Sequence, residues 1–85
     1  MEEKLIGKIT HYFTNIGVGV IEITKGDLKV GDKIHIKGAT SDFEQAVDSM
    51  QIEHENIEKA KKGDAIGLKV DQQIREGDQV FKVIE

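Results

Sequence analysis

Short runs in which apolar and polar residues alternate recur along the chain. Ile34 and Ile36 alternate with Lys33, His35 and Lys37, the period-two pattern of a strand with one buried and one wet face. In the first run, Leu5, Ile9 and Phe13 fall on one face and Lys8, Thr10 and Tyr12 on the other. His11 shares the face of Ile9 and Phe13, which predicts a partly buried histidine. In the second run the apolar phase passes from Ile16, Val18 and Val20 to Ile21 and Ile23, a shift that a β-bulge near Val20 would produce. A similar shift separates Val47 from Met50 and Ile52. Bulges bend strands, and small barrels need bent strands.

Turn chemistry separates the runs. Proline is absent, and glycine supplies the punctuation, mostly as Gly-Asp: Gly26-Asp27, Gly31-Asp32, Gly63-Asp64 and Gly77-Asp78. The last three lead directly into apolar segments. Glycine accepts a positive φ and aspartate bonds back to nearby backbone, which suits turns that launch strands. Asn56 through Gly63 reads as one helical turn, with Asn56 as N-cap, Ile57 and Ala60 three apart and Gly63 as terminator. The fold this predicts is all-β: a small, closed or nearly closed six-stranded barrel. Its strands lie near residues 4–13, 16–24, 32–37, 43–54, 64–70 and 79–84, with one short helical turn at a barrel end. No linker or low-complexity tract interrupts the chain, so residues 1–85 read as a single domain.

Composition narrows the function. A domain of 85 residues buries only about 60% of the surface its unfolded chain exposes, so a deep catalytic cleft would compete with the core for the same side chains. There is no cysteine, which excludes disulfides, thiolate zinc sites and thiol catalysis. The formal net charge of -4 argues against a surface given over wholly to phosphate contacts. Met1-Glu2-Glu3-Lys4 is not the basic start of a secretory signal, and no run approaches the roughly 20 apolar residues of a membrane span. The expected location is cytoplasmic, without membrane contact.

The candidate chemistry is sparse. Gly17-x-Gly19 lacks the third glycine and the following helix of a phosphate loop, and is read as backbone room inside a strand. Glu53-His54-Glu55 gathers metal-ligand types, but strand neighbours point to opposite faces and no second histidine lies at ligand spacing. Ser41 and Ser49 sit in no nucleophile elbow. Lys59, Lys61 and Lys62 form the densest basic cluster, and Lys33 and Lys37 flank His35. These six residues are the candidate partner contacts, assisted by Tyr12 or Phe43 as stacking surfaces; the same lysines also suit an ordinary solvated face. No catalytic residue, metal or cofactor is implied.

The run Ile16-Gly17-Val18-Gly19-Val20-Ile21-Glu22-Ile23, with Lys25-Gly26-Asp27-Leu28-Lys29-Val30-Gly31-Asp32-Lys33-Ile34-His35-Ile36, resembles the second domain of elongation factor Tu and its relatives. Ala60 through Gly67 and Arg75-Glu76-Gly77-Asp78-Gln79-Val80 continue the likeness in the same order. Gly7 through Phe13 and Ser49 through His54 are similar to short, free-standing translation elongation factor-like proteins, and to the C-terminal barrel of collagenase-like peptidases, some of which act in RNA modification. The resemblance implies a non-catalytic binding module of the translation-protein barrel type, contacting RNA, the ribosome or a translation-related protein. The alternative it implies is an accessory protein-interaction barrel for a separately encoded peptidase-like or RNA-modifying enzyme. No Gly-x-x-x-x-Gly-Lys-Ser/Thr loop is present, so GTP binding is not implied. Asn15-Ile16-Gly17 stands where the elongation factor has a Gly-Arg-Gly-type entry, and no aminoacyl-tRNA contact is carried over.

Overall fold

Two bulges in the first strand decide which of its apolar residues reach the core. The computed structural model describes residues 2–39, 41–53, 55–70 and 72–84. Strand β1 (Glu2–Phe13) pairs antiparallel with β10 (Gln79–Ile84) over its first half and with β2 (Val18–Ile23) over its second. Its register breaks between Leu5 and Gly7 against β10, and between Ile9 and His11 against β2. Ile6 and Thr10 are therefore extra residues, and each resets which side chains face inward. Ile6 and Ile9 are buried, Leu5 is half-buried, and Phe13 is 45% exposed. Simple alternation put Leu5, Ile9 and Phe13 on the core face with His11 partly buried; only Ile9 keeps that place, and His11 is exposed. The bulge expected near Val20 lies across from it, at Thr10.

The remaining strands are β3 (Asp27–Lys29), β4 (Lys33–Lys37), β5 (Asp42–Ala46), β6 (Met50–Ile52), β7 (Glu55–Ile57), β8 (Lys59–Lys61) and β9 (Ala65–Lys69). Eight of the ten strands in the described residues form one antiparallel sheet in the order β5-β4-β10-β1-β2-β9-β6-β7, and β3 pairs with β8 as a two-stranded ribbon. The fold is all-β, as expected. The six-stranded closed barrel is not what forms: among the described residues no ladder joins the outer strands β5 and β7. The predicted strand 43–54 is broken because Val47 spends its backbone groups on the turn before β4. Its N–H donates to Asp32 O at 2.8 Å, and its carbonyl accepts from Gly31 N at 2.9 Å. Between β5 and β9 a side chain replaces a ladder, with Gln45 Nε2 donating to Lys69 O at 2.9 Å.

The predicted helical turn is also corrected, because Asn56 through Lys61 lies in the two short strands β7 and β8 on either side of a bend at Glu58, and Lys62-Gly63 is the turn that follows. A turn in which Glu53 has φ 51 folds β7 back onto β6, and β8 then pairs with β3. Ala60, 1% exposed between exposed Lys59 and Lys61, shows the alternation of a strand. The spacing of Ile57 and Ala60 had matched a helix by coincidence of two short strands. Among the described residues, no helix is long and apolar enough to cross a membrane.

The three strand-launching Gly-Asp turns are built alike. Gly31, Gly63 and Gly77 have φ of 100, 96 and 91, the left-handed conformation that favours glycine. The following aspartates accept backbone N–H bonds from Lys29, Lys61 and Arg75, each at 3.0 Å. The core inside the curved sheet includes Ile21, Leu28, Ile34, Ile36, Met50, Ile66 and Val80, all with no exposed surface. Ile74, from the stretch between β9 and β10, closes against Gly19, where an added Cβ would lie 2.5 Å from Ile74 Cδ1. Gly19 thus serves as backbone room, as its sequence context implied.

Candidate interaction surfaces

Because Ile34 and Ile36 point inward, β4 presents Lys33, His35 and Lys37 on the outer face. His35 stands opposite Glu44 of β5 and Phe81 of β10, with its ring centroid 6.3 Å from that of Phe81. Both imidazole nitrogens are engaged. Nδ1 lies 2.8 and 3.0 Å from the two Glu3 carboxylate oxygens, and Nε2 is hydrogen-bonded to Asp42 Oδ1. The hydrogen bond with Asp42 holds the His35 pKa above its ordinary value. Partial burial opposes the shift, and the bond and charge of Glu3 add to it. Lys33 Nζ pairs with Glu44 Oε1 at 3.1 Å.

The six predicted contact residues therefore fall into two groups. Lys33, His35 and Lys37 share the outer face of β4, while Lys59 and Lys61 lie on β8 in the separate ribbon, with Lys62 in the turn that follows. Lys59 pairs with Asp27 at 3.6 Å. Half of the predicted cations are thus already matched with carboxylates. Phe43 is 9% exposed and offers no stacking face, and Tyr12 packs against the core cluster. His11 lies 3.4 Å from Glu76 and stacks edge-on with Phe13. Among the described residues, Ser41 Oγ is buried without a hydrogen-bond partner. His54 lies outside the described residues, so the Glu53-His54-Glu55 cluster is represented by Glu53 and Glu55, both exposed.

A second surface was not singled out by the sequence. Phe13 and Ile16, 45% and 62% exposed, flank the connection between β1 and β2. With Val18, Val20, Ala65 and Gly67 they line a shallow groove of about 450 Å³ rimmed by Gln51 and Glu53. The signal was present in the second alternating run. Ile16, Val18 and Val20 do share a face, but it is the outer one, and the phase shift into Ile21 and Ile23 marks where apolar residues pass into the core.

A third cluster is structural. Lys82, 23% exposed, reaches Asp27 and Asp32, each at 3.3 Å. Its hydrogen bond and charge hold the Asp27 carboxyl below the usual range. This ties β10 to β3 and to the turn before β4.

The crystal structure of the C-terminal domain of a Geobacillus thermoleovorans protein assigned to the U32 peptidases superposes with a TM-score of 0.87, covering 95% of this chain and 93% of that one at 15% identity. The chain has the fold of that domain. In sequence it is 42% identical over 81 residues to an uncharacterized protease of Methanocaldococcus jannaschii, covering 94% of this chain and 20% of the relative. It is 34% identical over 82 residues to a collagenase of Porphyromonas gingivalis, covering 95% of this chain and 23% of the relative. The chain spans about a fifth of the length of these relatives. No protein-family model matches it. The similarity to the C-terminal domain of collagenase-like peptidases read from the sequence is supported, whereas the likeness to elongation factor Tu gains no support from these relatives.

Proposed function

We propose that this chain is a non-catalytic accessory domain that binds a peptidase-like or RNA-modifying protein through the apolar groove around Phe13 and Ile16. The observation that carries this reading is the match itself: nearly the whole chain corresponds to about a fifth of a protease, in the fold of a peptidase C-terminal domain. Such a unit supplies surface to the remainder of a larger protein, and exposed apolar groups gathered on one groove are what a protein contact buries. The translation-type reading, with RNA or the ribosome as partner, needs free cations. Lys33, His35 and Lys59 instead face carboxylates.

The test is a binding measurement between the chain and a protein of that class purified from the same cells. Ile16→Asp and Phe13→Ser should weaken the complex at least about tenfold, since truncating a central apolar anchor costs upwards of 1.4 kcal/mol. Lys59→Ala with Lys61→Ala should leave it unchanged. The reverse pattern would overturn the reading.

A further inference from the structure

Around His35 the fold assembles a set of donors that suits a metal ion. Glu3, His35 and Glu44 each offer one ligand atom, and these atoms all lie within 4.8 Å of one another. They come from β1, β4 and β5, so three separate strands fix the cluster. We propose that this is a binding site for a divalent first-row transition cation, ligated by His35 Nδ1, Glu3 and Glu44, with solvent in the remaining position. The site is independent of the accessory-domain reading.

Geometry and chemistry both favour an ion at this point. Ligand atoms around a tetrahedral zinc lie about 3.4 Å apart. Nδ1 and the Glu3 oxygens are 2.8 and 3.0 Å apart, so admitting the ion requires a small side-chain opening and no backbone change. Asp42 holds the opposite nitrogen, Nε2. A metal-bound histidine commonly donates its other ring N–H to a carboxylate, which fixes the tautomer and leaves the ligating nitrogen's lone pair directed at the ion. His35 has the supporting half of that arrangement in place, with Nε2 anchored on Asp42; Nδ1, which donates to Glu3 in the ion-free protein, gives up its proton to solvent as the ion takes its place. The ring is further confined by Phe81, and its side chain is only 15% exposed. Glu44 must exchange its contact with Lys33, a half-exposed pair of the kind worth little. Once His35 is neutral, as a ligand must be, the carboxylates Glu3, Asp42 and Glu44 outnumber the lysines beside them on β4, Lys33 and Lys37, and a bound cation replaces the charge of the lost proton. One imidazole with carboxylates suits zinc, manganese or iron(II) better than calcium, which takes oxygen ligands throughout.

The test is calorimetric titration of ZnCl2 into the chelator-treated 85-residue chain, with nitrogen NMR of the histidine rings on the same samples. The wild type should bind one ion, with the Nδ1 resonance of His35 moving to a metal-bound position. His35→Gln should weaken binding at least about tenfold, and Asp42→Ala by about 10- to 100-fold through loss of the supporting hydrogen bond. His11→Gln should bind as the wild type does. Absence of binding at millimolar zinc, an unmoved His35 resonance, or equal affinity in His35→Gln would overturn the proposal. Because the NMR readout is made on the wild type, it holds even if a variant folds poorly.

Discussion

His35 of β4 and Glu3 of β1, 32 residues apart in sequence, are hydrogen-bonded at 2.8 Å across the intervening strand β10. Asp42 holds the other edge of the same ring from β5. One imidazole thus links side chains from three strands on the outer face of the sheet.

This relationship changes what a substitution at His35 should do. An outward-facing strand residue would ordinarily tolerate aspartate. Here His35→Asp removes charge-assisted hydrogen bonds and sets a fourth carboxylate among Glu3, Asp42 and Glu44, so a loss of about 1–3 kcal/mol is expected. Ile36→Asp, which buries an unpaired carboxylate at a position with no exposed surface, should cost on the order of 4–5 kcal/mol, close to the whole stability of many domains this small. Urea unfolding of the two variants should rank them in that order. Equal losses would contradict the assigned strand phase.

Acid stability should depend on Asp27. Its hydrogen bond to Lys82 lowers its folded pKa below the ordinary 3.8, so the unfolded chain binds a proton first as pH falls. The contribution is present above the unfolded value and is lost as pH drops through the folded one. The difference in melting temperature between wild type and Asp27→Asn should therefore be constant near neutrality and close below about pH 4. A gap that widened on acidification would contradict the tie.

The Gly-Asp turns separate backbone strain from steric clash. At Gly63 an added Cβ would meet nothing within 4 Å, but φ is +96. Gly63→Ala should cost about 1–2 kcal/mol from conformation alone, and Gly63→Asn less, since asparagine tolerates positive φ better. At Gly19 the obstacle is the Ile74 side chain, so Gly19→Ala should be partly rescued by Ile74→Val. Thermal melts of these variants check both statements.

Much of the strand pattern was legible because turn chemistry and alternation agree where strands are regular. Ile34 and Ile36 face inward as read, and Asp32, Asp64 and Asp78 close their turns as their glycines implied. Alternation failed where the backbone inserts a residue. Ile6 and Thr10 each reset the phase of β1, and neither carries a local signal of its own. The helical reading of Asn56 through Gly63 failed because two three-residue strands mimic helical spacing, and what holds β8 extended is its pairing with distant β3. The site followed the same rule. His35 could be placed on an outer face from its neighbours, and Asp42 reaches it through the local hairpin of β4 and β5, but Glu3 reaches it only through strand order, which no nearby residue encodes. The groove at Ile16 was hidden because apolar alternation says which residues share a face, not whether that face is the core.

The central claim, that the chain is a protein-binding accessory domain, is tested most directly by recovering the tagged chain and its Ile16→Asp variant from native cells at low and at high salt, with bound protein and bound RNA identified separately. The account predicts a peptidase-like or RNA-modifying protein that stays bound at high salt and is lost with Ile16→Asp. RNA or ribosomal material that leaves at high salt and is indifferent to Ile16→Asp would contradict it.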